Sequence, residues 1–585
     1  MGNNSNNTSP DYVVGIDFGS AGIGYAYGHN PDNPILSNLE GQVDNKVPNE
    51  IILNNDLNEI LAFGNECSKY INSHQDNREN YQYFKDIKMN LYKKQYYIKS
   101  TNDKEVDIEK VIAKILEKIS KEATAHIESN FPGKIDKNKI KWVVTIPAIW
   151  EEKSKQIMIN ASKKAGLINE NTDLSLFLAL ESEVAGIFYF SDLNTKLNKE
   201  EKTKELLHPY ILCDIGAGTV DICTLRKEKD KNRLIEEYPP LGGNYGGNYI
   251  NKEFMDKIII ELFGKEKVEK AKNDPKFKVL EKNIETLKKD LQDHVYNCNL
   301  NCRLFKDENN PLDISIDNYI EKFNKKSQKY VLKRDKKDEW ELLFPNQILL
   351  DITKDIANKI FKKLEEVYND VKNAQIIFTG AGSNNKILTK YIKNFFKEKN
   401  VSFDIKTTIQ PEVSILKGAV IYGFQTNIIR KRKPKYTIGI NISRNWDDKY
   451  KNGGQKYYNK TEKKWKCVNL FKKFITRNEY IHFDEVISHN FIAFNSKVVI
   501  SFYKTLKKNC TFYDEKDHNN LIIEKFGSVH IEIKDYDKNF RDVRIEMKMG
   551  GTYIIATAVY LKTGKKTKIT QDFVEKSEAI IIESN

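Results

Sequence analysis

The sequence predicts an α/β protein made of two like halves, followed by a region of β-strands. Three observations carry that prediction. Gly15-Ile16-Asp17-Phe18-Gly19-Ser20-Ala21-Gly22 follows the apolar run Tyr12-Val13-Val14. Asp214-Ile215-Gly216-Ala217-Gly218-Thr219-Val220-Asp221 follows Ile211-Leu212-Cys213 in the same way. Each reads as a strand, an Asp at its end, and a turn of small residues. Beyond Lys435 the pattern changes to the two-residue alternation of strands.

Residues 11–27 read as the first hairpin. Residues 107–130 set Ile108, Val111, Ile112, Ile115, Leu116 and Ile119 at helical spacing. Lys141-Trp142-Val143-Val144-Thr145-Ile146 reads as a buried strand stopped by Pro147, a residue that also suits a switch point. A helix is expected over 151–165, because Glu151 and Glu152 favour the positive end of its dipole. Residues 174–190 read as an apolar helix carrying Glu181 and Glu183, and 210–226 as the second hairpin. The glycine cluster Leu241-Gly242-Gly243-Asn244-Tyr245-Gly246-Gly247-Asn248-Tyr249 precedes helices at 249–263 and 276–294. Gln375 to Thr379 reads as a strand, and Gly380-Ala381-Gly382-Ser383 as a small-residue turn. Residues 412–424 read as a further apolar helix. The basic run Arg430-Lys431-Arg432-Lys433-Pro434-Lys435 reads as a solvated linker. Strands are expected at 436–442, 497–503, 529–533, 543–547 and 553–560, a spacing that suits a β-sandwich.

The turns suggest the chemistry. Small residues let backbone N–H groups approach an anion and form a nest for phosphate oxygens. An Asp at the strand end is placed to hold hydrated Mg²⁺, which takes few carboxylates and keeps its waters. Asp also caps turns with no ligand at all, but two turns in matched contexts point to a nucleotide phosphate chain clamped between two halves. The net charge of +13 is spread among acidic residues, with 39% hydrophobic and 30% charged residues. That mixture reads as solvated surface, and nucleic acid is not expected as a partner. Seven scattered cysteines argue against a disulfide framework, and no His cluster joins Cys298 and Cys302 as a metal site. The polar stretch 1–10 lacks a signal-peptide pattern, and no segment approaches the ~18 apolar residues of a membrane span. A cytoplasmic protein is expected.

The order of these pieces resembles the actin-like ATPase superfamily, and within it the heat-shock-70 chaperones. The two Gly-turns are similar to that family's phosphate loops. Trp142-Val143-Val144-Thr145-Ile146-Pro147-Ala148 resembles its strand ending in an interdomain proline. Ala179-Leu180-Glu181-Ser182-Glu183-Val184-Ala185 resembles its first crossover helix. Gly246-Gly247-Asn248-Tyr249 and Thr379-Gly380-Ala381-Gly382-Ser383 resemble its adenosine-contact segments. The wording is nearest to the divergent member-twelve (12A/12B-like) branch, which has Ile-Trp after Pro-Ala.

The resemblance implies a duplicated, ribonuclease H-like two-lobed ATPase domain followed by a β-sandwich, without a helical lid. The implied boundaries are a disordered N-terminus at 1–10, lobe I at 11–205 and lobe II at 206–426. A basic linker at 427–435, a substrate-binding-like sandwich at 436–575 and a tail at 576–585 complete them. The implied ligands are ATP or ADP and Mg²⁺, the metal being held through water by Asp17 and Asp214. The implied catalytic set is Asp17, Lys88, Glu181, Asp214 and Thr219, with Lys85 a rival to Lys88 as the γ-phosphate lysine. Gly19, Ser20, Ala21, Gly216, Ala217, Gly218 and Asp221 would line the phosphates. Gly246, Gly247, Glu285, Lys288, Lys289, Gly380, Ala381, Gly382, Asn384 and Glu412 would surround the nucleoside. The chain departs from the family at several points, among them Gly22, which stands where the family has a Tyr. Ser20-Ala21 replaces Thr-Thr, Ala217 replaces a glycine, Asn384 replaces an adenine-stacking Arg, and the basic run replaces an acidic-leucine linker. The implied function is a slow, Mg-dependent ATPase of chaperone type that binds unfolded peptides, protein clients and co-chaperones. The second reading is a nucleotide-binding interaction protein with negligible turnover; a small-molecule kinase and a polymerising actin-like filament are weaker ones, since the C-terminal strands have no place in such a kinase.

Overall fold

The computed structural model describes residues 10–569 and 582–583, apart from 40–44, 101, 132–134, 169–175, 197–207, 230–232, 273, 294–296, 328, 400–404, 409, 461, 484, 494–495, 518–519, 533–536, 538–540, 550–551 and 553. Nearly all of the expected segment 1–10, the expected boundary at 205/206 and most of the tail 576–585 lie outside the described residues.

The first hairpin is β1 (Tyr12–Phe18) and β2 (Gly22–Gly28), paired antiparallel with Asp17 opposite Gly24. A short strand, β3 (Val47–Pro48), pairs with β2. Two helices follow, α1 (Ile87–Tyr92) and α2 (Ile108–Asn130). Asp107 caps α2 by accepting the Glu109 N–H at 2.9 Å. Next, β4 (Ile140–Ile146) runs parallel to β1, and α3 (Glu152–Lys164) leads on from it. A strand, β5 (Leu176–Leu180), then pairs parallel with β4, and α4 (Glu181–Lys196) starts at the next residue.

This corrects the helix expected over 174–190. Leu176 to Leu180 is a short apolar run, whose periodicity does not separate a buried strand from a buried helix. Pairing with the buried strand β4 decides for strand. As a result Glu181 stands in the first turn of a helix, at the strand's end, rather than mid-helix.

The second half repeats the plan. In it β6 (Tyr210–Ile215) and β7 (Val220–Lys227) form a hairpin with Asp214 opposite Asp221. Two more strands, β8 (Leu234–Glu236) and β9 (Leu241–Gly243), pair with β7. The helices α5 (Gly247–Phe254), α6 (Pro275–Lys289) and α7 (Gln347–Asp370) come next. Then β10 (Gln375–Thr379) pairs parallel with β6, β11 (Ile405–Thr407) pairs parallel with β10, and α8 (Ser414–Phe424) closes the half. The sheets therefore have matching orders, β5-β4-β1-β2 and β11-β10-β6-β7. The helix expected over 276–294 ends at Lys289.

Helices α4 and α8 cross between the sheets. A Cβ on Gly418 would lie 1.8 Å from the Val184 carbonyl oxygen, and one on Gly15 would lie 2.7 Å from Ala419 Cβ. Hydrogen side chains at these points allow helix–helix and helix–strand contact at backbone distance. Val13, Val143, Val184, Leu212, Ile377 and Leu416 share the resulting core, which joins the two sheets.

The basic run is not the solvated linker expected. Residues Ile429–Arg432 form β12, which pairs parallel with β8 and extends the second sheet. Arg432 is buried, because Glu183 of α4 and Glu236 of β8 surround its guanidinium. Beyond it lie β13 (Thr437–Asn445), β14 (Lys456–Asn459), β15 (Lys464–Ile475), β16 (Ile481–His482), β17 (Val486–Ile492) and β18 (Lys497–Thr505). They are followed by β19 (Ile523–Glu532), β20 (Asp542–Met549), β21 (Ile554–Tyr560) and β22 (Lys565–Ile569). Along β20, Val543, Ile545 and Met547 point inward, the period-two pattern of a half-buried strand. They share one core with Ile440, Phe491, Ile500 and Ala558. Ile582–Glu583 pairs with β13 and β17, past the expected end at 575.

Candidate functional site

The tips of the two hairpins touch. A Cβ added to Gly218 would lie 2.4 Å from Ser20 Oγ and 2.7 Å from Met89 Sδ, so a side chain there would push the tips apart. The Gly216 N–H donates to the Thr219 carbonyl at 2.9 Å and closes the second turn. The N–H groups of Gly246, Gly247 and Asn248 donate to the carbonyls of Gly218, Gly216 and Ala217 at 3.2, 2.9 and 2.7 Å. This zips the Gly-rich segment along the second turn, at a separation that side chains on 246 would not permit. Asn49 braces the first turn, its Nδ2 donating to the Gly19 carbonyl at 2.8 Å and its N–H to the Ala21 carbonyl at 3.3 Å.

Four carboxylates converge beside this junction. Asp17 and Asp214 end β1 and β6, Asp221 lies across from Asp214 on β7, and Glu181 opens α4; all four are buried. Lys88 of α1 is buried among them in an ion pair with Glu181. Lys85, its rival, is exposed outside the cluster. Thr145 Oγ1 donates to Asp17 Oδ1 at 3.3 Å, and Lys46 Nζ lies 2.5 Å from Asp17 Oδ2. The Ala148 N–H, just past Pro147, donates to Asp221 Oδ1 at 2.6 Å. A contact from the first half thus fixes an acid of the second.

Crowding perturbs these groups. Burial raises the Asp214 carboxyl to about 7, with Asp221 and Asp17 adding to the rise and Lys46 and Lys88 opposing it. Burial also raises Glu181, which Lys88 opposes and the three aspartates reinforce. Asp221 is raised by burial against the pull of Lys88, the Ala148 N–H and the Thr219 hydroxyl. Burial alone would lower Lys88, but Glu181 and Asp17 outweigh it and raise that ammonium instead.

The residues expected around the nucleoside divide. Gly380, at φ +78°, would place a Cβ 2.2 Å from Asp214 Oδ1, and Gly382 would place one 2.6 Å from Ile215 Cγ2. Ala381 is exposed beside them. Lys288 is buried, pairing with Glu285 and donating to the Gly247 carbonyl at 3.3 Å. Lys289 points to solvent, 3.7 Å from Glu285. Asn384 and Glu412 are both exposed and joined by an Asn384 Nδ2 to Glu412 Oε1 hydrogen bond of 2.7 Å. Lys46, Asn49 and Thr145 were not among the expected site residues. Thr145 lies in the strand motif that ends at Pro147, whereas Lys46 carries no local signal beyond its place before Val47-Pro48.

The donor set bears on Mg²⁺ through its oxygens. Asp214 Oδ1 and Asp221 Oδ2 are buried side-chain oxygens without a hydrogen-bond partner among the described residues. A few hard oxygens suit a hydrated Mg²⁺. Among the described residues no group of three His, Cys, Asp or Glu is placed to cage a metal directly. The fit is therefore to an ion that keeps its waters, which the free oxygens of Asp214 and Asp221 would face, whereas the two oxygens of Asp17 are engaged by Thr145 and Lys46.

A model of the Hsp70 protein family matches residues 67–338, which include the second hairpin, Lys88 and Glu181 but not the first hairpin. The chain is 22% identical to heat shock 70 kDa protein 12A of Homo sapiens and of Mus musculus, over 96% of this chain and 91% of each relative. It is 20% identical to heat shock 70 kDa protein 12B of Homo sapiens over the same shares. A shorter match, 26% identical, links 27% of this chain to 23% of the chaperone protein DnaK of Mycoplasmopsis pulmonis. The Hsp70 match brings the actin-like ATPase fold with it, in keeping with the two sheets of matching order.

Proposed function

We propose that this chain, which carries an Hsp70-family domain and is similar to the 12A/12B branch along 96% of its length, binds ATP or ADP between its halves and hydrolyses ATP slowly. The observation that carries the reading is the convergence of Asp17, Asp214, Asp221 and the Lys88–Glu181 pair beside two touching small-residue turns. Such a site does little covalent chemistry and acts through placement and charge. Lys88 is the cation for the γ-phosphoryl group. Glu181 and Asp17, the latter held by Thr145, accept hydrogen bonds from the attacking water. The water oxygen bonds to the γ-phosphorus as the bond to the bridging oxygen breaks, and the proton passes to Glu181 or the released phosphate. Mg²⁺, when bound, neutralises phosphate charge.

Under this reading the strands from 436 onward make a β-sandwich that offers a groove to an extended polypeptide and takes clients with co-chaperones. Coupling between allosteric sites is typically ~1–3 kcal/mol. Without the acidic-leucine linker the low end is expected, a difference in peptide affinity below about tenfold between ATP and ADP.

The test is single-turnover hydrolysis of labelled ATP. Lys88→Ala should slow it by about 10²-fold or more, and Lys85→Ala should leave it within about twofold. A larger loss at Lys85 would reverse the choice of lysine. Wild-type rates in Asp214→Asn would overturn the catalytic assignment. The second reading, a nucleotide-binding interaction protein, draws on Ser20-Ala21 and on Asn384, which turns to Glu412 and offers no guanidinium plane. Tight ATP binding with no turnover in the wild type would favour it.

A further inference from the structure

Lys46 is a cation in this cleft that the reading above leaves without a task. Its ammonium lies 2.5 Å from Asp17 Oδ2, and its side chain is 29% exposed against 3% for that of Asp17. It thus reaches a buried acid from a partly exposed position between the two halves' acids and solvent. The segment that carries it is bolted down. Val47 and Pro48 pair with Ile23 and Gly22 on β2, and the next residue, Asn49, braces Gly19. Gly24 lies directly beneath, where a Cβ would meet the Asn45 carbonyl at 2.3 Å and Lys46 Cγ at 3.0 Å. The hairpin's small residues therefore make room for this lysine as well as for a phosphate.

The charge balance gives Lys46 its significance. Asp17, Asp214, Asp221 and Glu181 supply four carboxylates, and the buried cation Lys88 is engaged with Glu181. A polyphosphate entering alone would meet net repulsion. We propose that Lys46 is a phosphate-binding residue, a tethered cation at Asp17 that lets the cleft hold a nucleoside di- or triphosphate without a divalent ion. The inference rests on the cleft being a nucleotide site. A lysine suits the task because its compact ammonium has three donors on a flexible stem, enough to keep Asp17 and reach a phosphate oxygen together.

The experiment is calorimetric titration of the full chain with ADP, in EDTA and in excess Mg²⁺, for wild type, Lys46→Gln and Lys46→Arg. The wild type should lose less than about tenfold in affinity when the metal is removed. Lys46→Gln should lose more than about tenfold in EDTA but less than about threefold in Mg²⁺, and Lys46→Arg should stay near wild type in both. Arg keeps the charge, so its recovery separates a cation's task from a folding defect. A wild type that loses more than tenfold without Mg²⁺, or a Lys46→Gln variant equally weakened in both conditions, overturns the proposal while the nucleotide reading stands. A wild type that binds ADP in neither condition overturns the nucleotide reading and this inference with it.

Discussion

At the scale of the residue, Asp214 shows what the cleft costs. Its carboxyl is raised to about 7 because it is buried beside Asp221 and Asp17. The ordinary value is 3.8, so the folded chain holds a proton on this group that the unfolded chain has released. Stability from this group is complete below about pH 4 and is lost as pH rises through about 7. Binding that needs the ionised acid runs the other way, strengthening as pH rises through the same window. Asp214→Asn should therefore raise the melting temperature of the ligand-free protein at pH 8 while weakening Mg·ATP binding by about tenfold or more. Melting curves at pH 5 and pH 8 check the first half and calorimetry checks the second. A variant that melts lower than wild type at pH 8 would refute the account.

At the scale of the element, β12 and α4 carry one connected argument. Glu181 and Glu183 share the first turn of α4, yet one faces Lys88 and the other faces Arg432 on β12. Burial opposes the charge on Arg432, but Glu183 and Glu236 outweigh it and hold the guanidinium charged. The Lys433 N–H adds a 3.0 Å bond to Glu236. Removing one partner of a buried ion cluster strands the others without compensation, typically at about 3–5 kcal/mol. Arg432→Met should cost that much in urea unfolding, whereas Lys431→Met, on the half-exposed face of the same strand, should cost less than about 1 kcal/mol. Equal losses would show that β12 is held by its backbone pairing alone.

At the scale of the molecule, the C-terminal strands touch both halves. Thr552 Oγ1 donates to the Leu178 carbonyl of β5 at 2.9 Å, and Lys155 Nζ of α3 donates to the Thr552 carbonyl at 2.8 Å. On the other side β16 pairs with β12, and Tyr480 Oη donates to Glu237 Oε2 at 2.5 Å. Across the cleft, Lys278 Nζ of α6 donates to Tyr83 Oη at 3.0 Å and lies 3.3 Å from Glu50. A ligand that binds one arrangement of the halves more tightly shifts the population toward it. ADP or ATP should therefore change amide exchange at 480–482 and around 552, neither of which belongs to the two turns. Lys155→Ala should speed exchange around 552 without changing exchange in β6 and β7. Uniform exchange with and without nucleotide would show that the C-terminal strands do not sense the cleft.

The duplicated turns, the buried strand before Pro147, the switch to β alternation and the four acids Asp17, Glu181, Asp214 and Asp221 were legible in the sequence. These are local patterns, because a strand–Asp–glycine turn needs only neighbouring residues to declare itself. Tertiary structure alone decided the rest. Leu176 to Leu180 is a strand because it has β4 beside it, and a short apolar run carries no period that says so. Arg432 looks like a surface charge among its basic neighbours, and it is buried because Glu183 and Glu236, distant in sequence, meet it. Lys88 is distinguished from Lys85 by the helix turn that sends one to Glu181 and the other to solvent. Lys46 enters the site only through the pairing of Val47 and Pro48 with the first hairpin. In each case the deciding partner is remote along the chain, and the free energy of a buried charge depends on what surrounds it in space rather than on what precedes it in sequence.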